Sequence, residues 1–156
     1  MPTAFAVPPR AVTFDCWQTL IYEGRWQTAH GLRVAALERA ALAVGRRLEQ
    51  GEAIRAFDSA WGRHMELWAR GVATGAREIA HWALEELELR PQGEAFEPLR
   101  EAFEEASHSS EVLPIEGALE TLTRLEAEGI GRALICDTGL TPGRVVRRLL
   151  SEHGLL

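Results

Sequence analysis

Two short apolar segments, each followed by a carboxylate, lie near opposite ends of this 156-residue chain. The first, Ala11-Val12-Thr13-Phe14-Asp15, is rich in β-branched and aromatic residues and is typical of a buried parallel strand. The second is Arg132-Ala133-Leu134-Ile135-Cys136, which runs into the turn Asp137-Thr138-Gly139. Because parallel strands of one sheet end at the same edge, the pattern predicts an α/β fold built from distant parts of the chain.

A helical pattern separates the two strands, from about Trp26 to Glu104. Ala, Leu, Glu and Arg dominate this stretch, and glycines divide it into segments. Helices are predicted from near Thr74 to before Pro91 and from about Glu94 to Ala106. Ser107-His108-Ser109-Ser110 then reads as a connector out of the block.

One segment of the block places four large apolar residues on a single helical face. At this spacing we expect them to pack in the core of the block, and lining a substrate pocket is the alternative. The four are Phe57, Trp61, Met65 and Trp68.

After Pro114 the pattern alternates between helix and strand again. A helix is predicted from Gly117 to Glu128, with Gly129 as its left-handed cap. Thr141 and Pro142 suit the N-cap and first turn of a last helix. The chain therefore divides into a partial α/β core, residues 1–22 and 112–156, and an inserted helical domain, residues 23–111.

Composition narrows the function classes. All 17 basic residues are Arg, the chain has no Lys, and the net charge is −6. An acidic chain with interleaved Arg and Glu lacks the clustered positive charge that nucleic acids require. No apolar run is long enough to span a membrane or form a signal peptide, and two cysteines are too few for a disulfide framework. We expect a cytoplasmic protein with a small-molecule ligand.

The two strand ends resemble the first two motifs of the haloacid dehalogenase superfamily. The first match is Ala11-Val12-Thr13-Phe14-Asp15-Cys16-Trp17-Gln18-Thr19-Leu20-Ile21, and the second is Leu134-Ile135-Cys136-Asp137-Thr138-Gly139. A small α-helical cap between these motifs is also found in members of that family. The resemblance implies a Rossmann-like parallel sheet, of which two strands are readable, in a predominantly helical protein.

The resemblance also implies a role for each matched residue. Asp15 is the expected nucleophile, forming an acyl phosphate or an ester with carbon, and Thr19 holds the reactive loop. Cys136, Asp137 and Thr138 are expected to bind the transferred group. A phosphatase of this family would hold Mg²⁺ with Asp15 and the backbone carbonyl of Trp17, whereas a dehalogenase needs no metal.

Three departures from the family pattern bear on activity. Trp17 stands where phosphatases carry a second Asp as general acid, which favours the dehalogenase branch. Cys136 replaces a Ser or Thr, so Thr138 is expected to supply the hydrogen bond. The family's Lys and its later acidic metal-binding motif have no counterpart in the sequence, which reaches Leu156 soon after the second motif. Since one lost charge stabiliser costs about 3 to 4 kcal/mol, we expect the isolated chain to be nearly inactive.

Arg63 is a further candidate, because a guanidinium on the cap binds a carboxylate or phosphate well. The alternative is an exposed Arg paired with Glu.

Two alternatives to the hydrolase remain open. The first is a non-catalytic, truncated or split homologue of the family. The segments outside the cap hold only about two β-α units, so such a homologue would complete its sheet as a homodimer or with a partner chain. A plain helical interaction module is the second.

Overall fold

The computed structural model describes residues 9–90 and 96–156. The strands in this part of the chain are β1 (Ala11–Phe14), β2 (Ile21–Glu23), β3 (Val112–Pro114) and β4 (Gly131–Leu134). The helices are α1 (Trp26–Ala43), α2 (Glu52–Ala69), α3 (Ala76–Glu86), α4 (Glu97–Glu105), α5 (Ala118–Ala127) and α6 (Gly143–Glu152).

The parallel pairing of β1 with β4 is confirmed. Ala11 lies opposite Gly131, and Phe14 lies opposite Leu134. The N–H of Ile135 also donates to the carbonyl of Phe14, at 2.9 Å. The strands end before Asp15 and Ile135, slightly earlier than predicted, so the residues from Cys136 onward are released from the sheet.

The expected burial of these two strands is wrong. Every residue of β4 is exposed, and β1 alternates between exposed and half-buried residues. A parallel strand is normally covered on both faces by helices and on both edges by other strands. Here β1 and β4 form a sheet of their own within the described residues, so each strand keeps an open edge.

A short antiparallel ladder between β2 and β3 is absent from the sequence prediction. It pairs Ile21 with Pro114 and Glu23 with Val112. Three-residue strands are too short to display a two-residue alternation, so no pattern marked them. The ladder brings together the points where the chain enters and leaves the helical block.

Helices α1 to α4 pack around an apolar cluster of their own. The regular apolar spacing on α2 and α3 buries one face of each against its neighbours. The most deeply buried members include Leu37, Ile79, Leu84, Leu87 and Phe103.

A second apolar cluster lies under the segments outside this block. It includes Cys16 and Ile21 at the start of the chain, Leu122 of α5, and Val145 and Leu149 of α6. The buried residues of the first cluster lie within residues 23–111, and those of the second lie within 1–22 and 112–156. The division into cap and core stays a prediction.

The helix ends mostly follow the predicted signals. Helix α5 begins one residue after Gly117, and Gly129 adopts the predicted left-handed conformation, with φ of 69°. Helix α3 begins at Ala76, close to the predicted start. Pro91, before which this helix is predicted to end, and Glu94, where the next is predicted to begin, lie outside the described residues.

The start of the last helix differs from the prediction. Pro142, not Thr141, is the N-cap, and the Thr141 side chain makes no capping hydrogen bond. Its hydroxyl instead lies 2.9 Å from the hydroxyl of Ser107, in the connector after α4. A buried polar contact has therefore taken the place of the local cap.

Candidate active site

Asp15 and the turn after β4 lie at the same edge of the parallel sheet. Asp15 directly follows β1, and its Oδ2 accepts a long hydrogen bond of 3.4 Å from the hydroxyl of Thr19. The backbone carbonyl of Cys16 accepts N–H groups from Thr19, Leu20 and Ile21, at 2.8 to 3.3 Å, which curls the chain into a tight loop. The Asp15 carboxylate is thus exposed on a loop closed by its own backbone.

Gln18 occupies the most unusual backbone conformation of this loop. Its φ is 61°, in the left-handed region that a side chain disfavours and glycine adopts freely. The resemblance places a Gly at this position, and the geometry explains why. Retaining Gln here costs about 1 kcal/mol of backbone strain.

The two thiols lie beside Asp15. Cys16 is fully buried, Cys136 is half-buried, and both are free, as expected. Burial, together with the neighbouring Cys136, raises the pKa of Cys16 to about 12. Burial also raises the pKa of Cys136, to which Asp15 and Asp137 contribute. Both groups are therefore neutral thiols near pH 7.

A cavity of about 320 Å³ opens between the helical block and the turn after β4. The strand-end residues in its wall are Trp17, Asp137, Thr138, Gly139, Leu140 and Thr141. Asp137 and Thr138, both predicted to bind the transferred group, therefore face this space. Asp15, Thr19 and Cys136 do not line it and lie beside its strand-end wall.

The helical block contributes an apolar wall. Trp61, Met65 and Trp68 of α2 all line the cavity. Met65 and Trp68 are 41% and 51% exposed, so their expected packing in the core is wrong, whereas Trp61 also packs against the apolar cluster of the helical block. Phe57, at the other end of the same stripe, is buried as expected.

The wall also contains a buried polar network that the sequence analysis missed. Arg33 of α1 donates from Nε to the carbonyl of Phe103, at 3.1 Å, and from Nη2 to the hydroxyl of Ser107, at 3.0 Å. Ser107 in turn contacts Thr141. A signal was present, because Arg33 lies four residues from both Ala29 and Leu37, on the buried stripe of α1.

His64 of α2 is a second missed residue. Its Nδ1 lies 2.6 Å from the hydroxyl of Thr74, and its other nitrogen faces Gly139 across the cavity. Burial lowers the pKa of His64, although Asp137 opposes this, so the imidazole is neutral near pH 7. His64 lies seven residues after Phe57, on the buried face of α2, where a polar residue is unusual.

Arg63 points elsewhere. Its guanidinium lies over the ring of Trp82, at 4.3 Å, and 3.5 Å from the carboxylate of Glu85. It does not line the cavity. The geometry favours the alternative, an exposed Arg paired with Glu, over the predicted substrate contact.

Ionic contacts join the helical block to α6. Glu104, which is buried, and Glu105 both accept hydrogen bonds from Arg144, and Glu105 also accepts one from Arg148. These contacts fix the end of α4, and hence Ser107, next to the first turn of α6. The ionic contacts therefore fix the two parts of the cavity wall, Ser107 after α4 and Thr141 before α6, relative to each other.

The oxygen ligands that the resemblance implies for Mg²⁺ are the Asp15 carboxylate and the Trp17 carbonyl. Mg²⁺ takes six ligands in a near-ideal octahedron. Residues 9–90 and 96–156 hold no group of three or more His, Cys, Asp or Glu side chains suited to a metal ion. These residues do not fit a complete protein site for Mg²⁺.

Comparisons with known proteins bear on the fold. No family model and no curated protein matches the sequence. The structure is similar to the crystal structure of a predicted phosphoglycolate phosphatase from Haemophilus somnus 129PT, with a TM-score of 0.51 and 14% identity. The fold is haloacid-dehalogenase-like. The match covers 97% of this chain and 60% of that one, so this chain spans about 60% of its neighbour's length.

Among the described residues, no helix is long and apolar enough to cross a membrane.

The thiol environments predict unequal reactivity. At pH 9, a pKa of about 12 makes the ionised fraction of Cys16 roughly several hundred-fold smaller than that of an ordinary cysteine. Iodoacetamide should therefore alkylate Cys136 first in the folded protein, and Cys16 only after unfolding in urea. Peptide mass spectrometry measures both sites, and equal alkylation of the folded protein would contradict this burial.

Proposed function

We propose that this chain carries the nucleophile of a hydrolase acting on a small metabolite, with residues 1–22 and 112–156 as core and 23–111 as cap. One observation carries the proposal: the β1–β4 register brings Asp15 and the turn Asp137-Thr138 to the same sheet edge, beside an open cavity. Nucleophile, binding turn and cavity are the parts that covalent catalysis requires. The free thiols agree with a cytoplasmic setting.

Displacement at carbon is the chemistry that these residues favour. The Asp15 carboxylate attacks the carbon that bears a halogen, a C–O bond forms, and the C–X bond breaks to release halide. Water then adds to the Asp15 carbonyl, which releases the hydroxy acid and a proton and restores the carboxylate. Trp17, in the place of a general acid, suits this reaction because halide leaves without protonation.

Phosphoryl transfer is the other branch. The structural neighbour is described as a phosphoglycolate phosphatase, which makes phosphoglycolate the natural test substrate. This branch would use Mg²⁺, for which Asp15 and the Trp17 carbonyl supply only part of the ligand set. The proposed displacement at carbon has no step through a metal.

The absence of Lys from the sequence limits the expected rate. A cation beside the nucleophile stabilises charge in the transition state, and losing one such group costs about 10²- to 10³-fold in rate. We therefore propose that these 156 residues by themselves turn over slowly.

Asp15→Asn should remove the activity. With a 2-haloacid and no metal, the unmodified chain should release halide slowly, whereas the variant should match the rate without protein, because an amide is not a competent nucleophile. Halide is measured by ion chromatography, and phosphate release from phosphoglycolate with Mg²⁺ is measured in parallel.

Asp58→Asn is the matched control, since Asp58 is exposed on α2 and pairs with His30, away from the cavity. No release from either substrate, or release that survives Asp15→Asn, would overturn the proposal.

A second candidate function rests on the uncovered sheet. Leu134 is 39% exposed and lines a cleft of about 160 Å³ whose wall also includes Phe14 and Leu122. We propose that a second copy of the chain covers this face, because two identical apolar patches related by a twofold axis cover each other. The chain would then be a non-catalytic homologue that completes its sheet by self-association.

Leu134→Glu should disrupt this association, because it places a charge within the apolar patch. Sedimentation equilibrium should give a dimer for the unmodified chain and a monomer for the variant. Ile54→Glu, at an exposed position on α2, is the control and should remain dimeric. A monomer at every concentration would rule out the second copy, and a complex of two different chains in a purified sample would point to a partner chain instead.

A further inference from the structure

Arg33 is the one buried cation in the wall of the cavity, among the residues that the structure describes. It is 6% exposed, and its Nε and Nη2 groups are held by the Phe103 carbonyl and the Ser107 hydroxyl. Both contacts are with neutral groups. The guanidinium is therefore fixed in place without being neutralised.

Nη1 of Arg33 has no hydrogen-bond partner among residues 9–90 and 96–156. In the same part of the chain, no side-chain nitrogen or oxygen that is sealed from solvent lacks a partner. Nη1 is therefore accessible to solvent, and Arg33 is part of the cavity wall. The nearest influence of opposite charge is Glu23, which acts on the guanidinium through space and accepts no hydrogen bond from it.

A buried Arg in this state is costly for a purely structural contact. Removing a guanidinium from water carries a penalty of several kcal/mol, which a paired anion normally offsets. Burial lowers the pKa of Arg33 to about 10, and Glu23 opposes this, so the group is still charged at neutral pH. A ligand anion would complete the hydrogen bonds of Arg33 and form an ion pair closer than the through-space interaction with Glu23.

The other charges of the cavity restrict that anion. Glu23 lies in the wall, where it accepts a long hydrogen bond of 3.4 Å from Ser110, and Asp137 lies at the strand-end side. A single cation with two carboxylates nearby favours a monoanion over a dianion. His64 adds no charge, because its imidazole is neutral.

The remaining wall fits an apolar body. The side chains of Trp17, Trp61, Met65 and Trp68 face the same space. Aromatic and thioether surfaces bind flat or branched hydrocarbon groups by burying their apolar area. At about 320 Å³ the cavity is at the small end of ligand pockets, which suits a molecule of roughly ten heavy atoms.

We propose that Arg33 anchors the carboxylate of a small organic acid whose aryl or branched alkyl body lies against the three tryptophans. The proposal rests on the proposed function only in taking this cavity as the substrate site. It deepens that function by naming the substrate class. The carboxylate would be bound from the cap side, by Nη1, the guanidinium nitrogen that has no partner among the described residues while Nε and Nη2 are hydrogen-bonded.

Phenylacetate and phenylacetamide test the charge requirement on the unmodified protein. They share shape and size, and only the first is an anion. Titration followed by tryptophan fluorescence should show saturable quenching by phenylacetate, with at least about tenfold weaker binding of the amide, because a hydrogen-bonded charge pair is lost. Equal affinities, or no saturable binding of either, would overturn the proposal.

Arg33→Met removes the anchor and retains an unbranched apolar chain. It should bring the affinity for phenylacetate down to that of the amide and leave the affinity for the amide nearly unchanged. Arg39→Met, an exposed position on the same helix, is the matched control and should bind like the unmodified chain. Circular dichroism checks the fold, and Arg33→Lys, which keeps the charge without the fork, should give an intermediate affinity if Arg33→Met unfolds.

Asp15→Asn separates this proposal from the proposed function. It should leave the preference for phenylacetate intact, because binding does not use the nucleophile. A retained preference without Asp15-dependent turnover would refute only the hydrolase, and Asp15-dependent turnover without the preference would refute only the Arg33 anchor.

Discussion

The pairing of β1 with β4 joins segments about 120 residues apart, from Ala11 opposite Gly131 to Phe14 opposite Leu134. Closing a loop of this length costs conformational entropy. Four-residue strands with exposed faces bury little apolar surface, so their pairing offsets only a small part of this cost. Other contacts must therefore hold the two segments together. The β2–β3 ladder does so at the neck of the helical block, and the second apolar cluster does so beneath the sheet.

The helical block is in turn fixed to the core by contacts around the end of α4. Glu104 and Glu105 bind the arginines of α6, and Ser107 contacts both Arg33 and Thr141. The cavity lies directly beside this junction, so its shape depends on the position of the cap. A ligand that engages Arg33 and the turn at Asp137 contacts both units and would stabilise their closed arrangement.

The sequence predicted β1, β4 and several helix ends, because these depend on local signals such as apolar spacing and Gly129. It also marked Asp15, Asp137 and Thr138 through the two motifs. It did not predict the exposure of β4, which depends on what packs against the strand, nor the β2–β3 ladder. Arg33 and His64 were missed because each looks like an ordinary surface residue until its helical face is shown to be buried. Thr141 was assigned to a cap because its buried partner, Ser107, lies far away in sequence.

The central claim is that the carboxylate at the end of β1 becomes covalently attached to substrate. A single turnover in H₂¹⁸O, with protein in excess over a 2-haloacid, tests it most directly, because water that cleaves an aspartyl ester leaves its oxygen on the aspartate. Cleavage after Arg10 and Arg25 isolates the peptide that contains Asp15. We predict that ¹⁸O appears in Asp15 and not in the product of that first turnover. Label in the product alone would show that water attacks the substrate directly and would contradict the account.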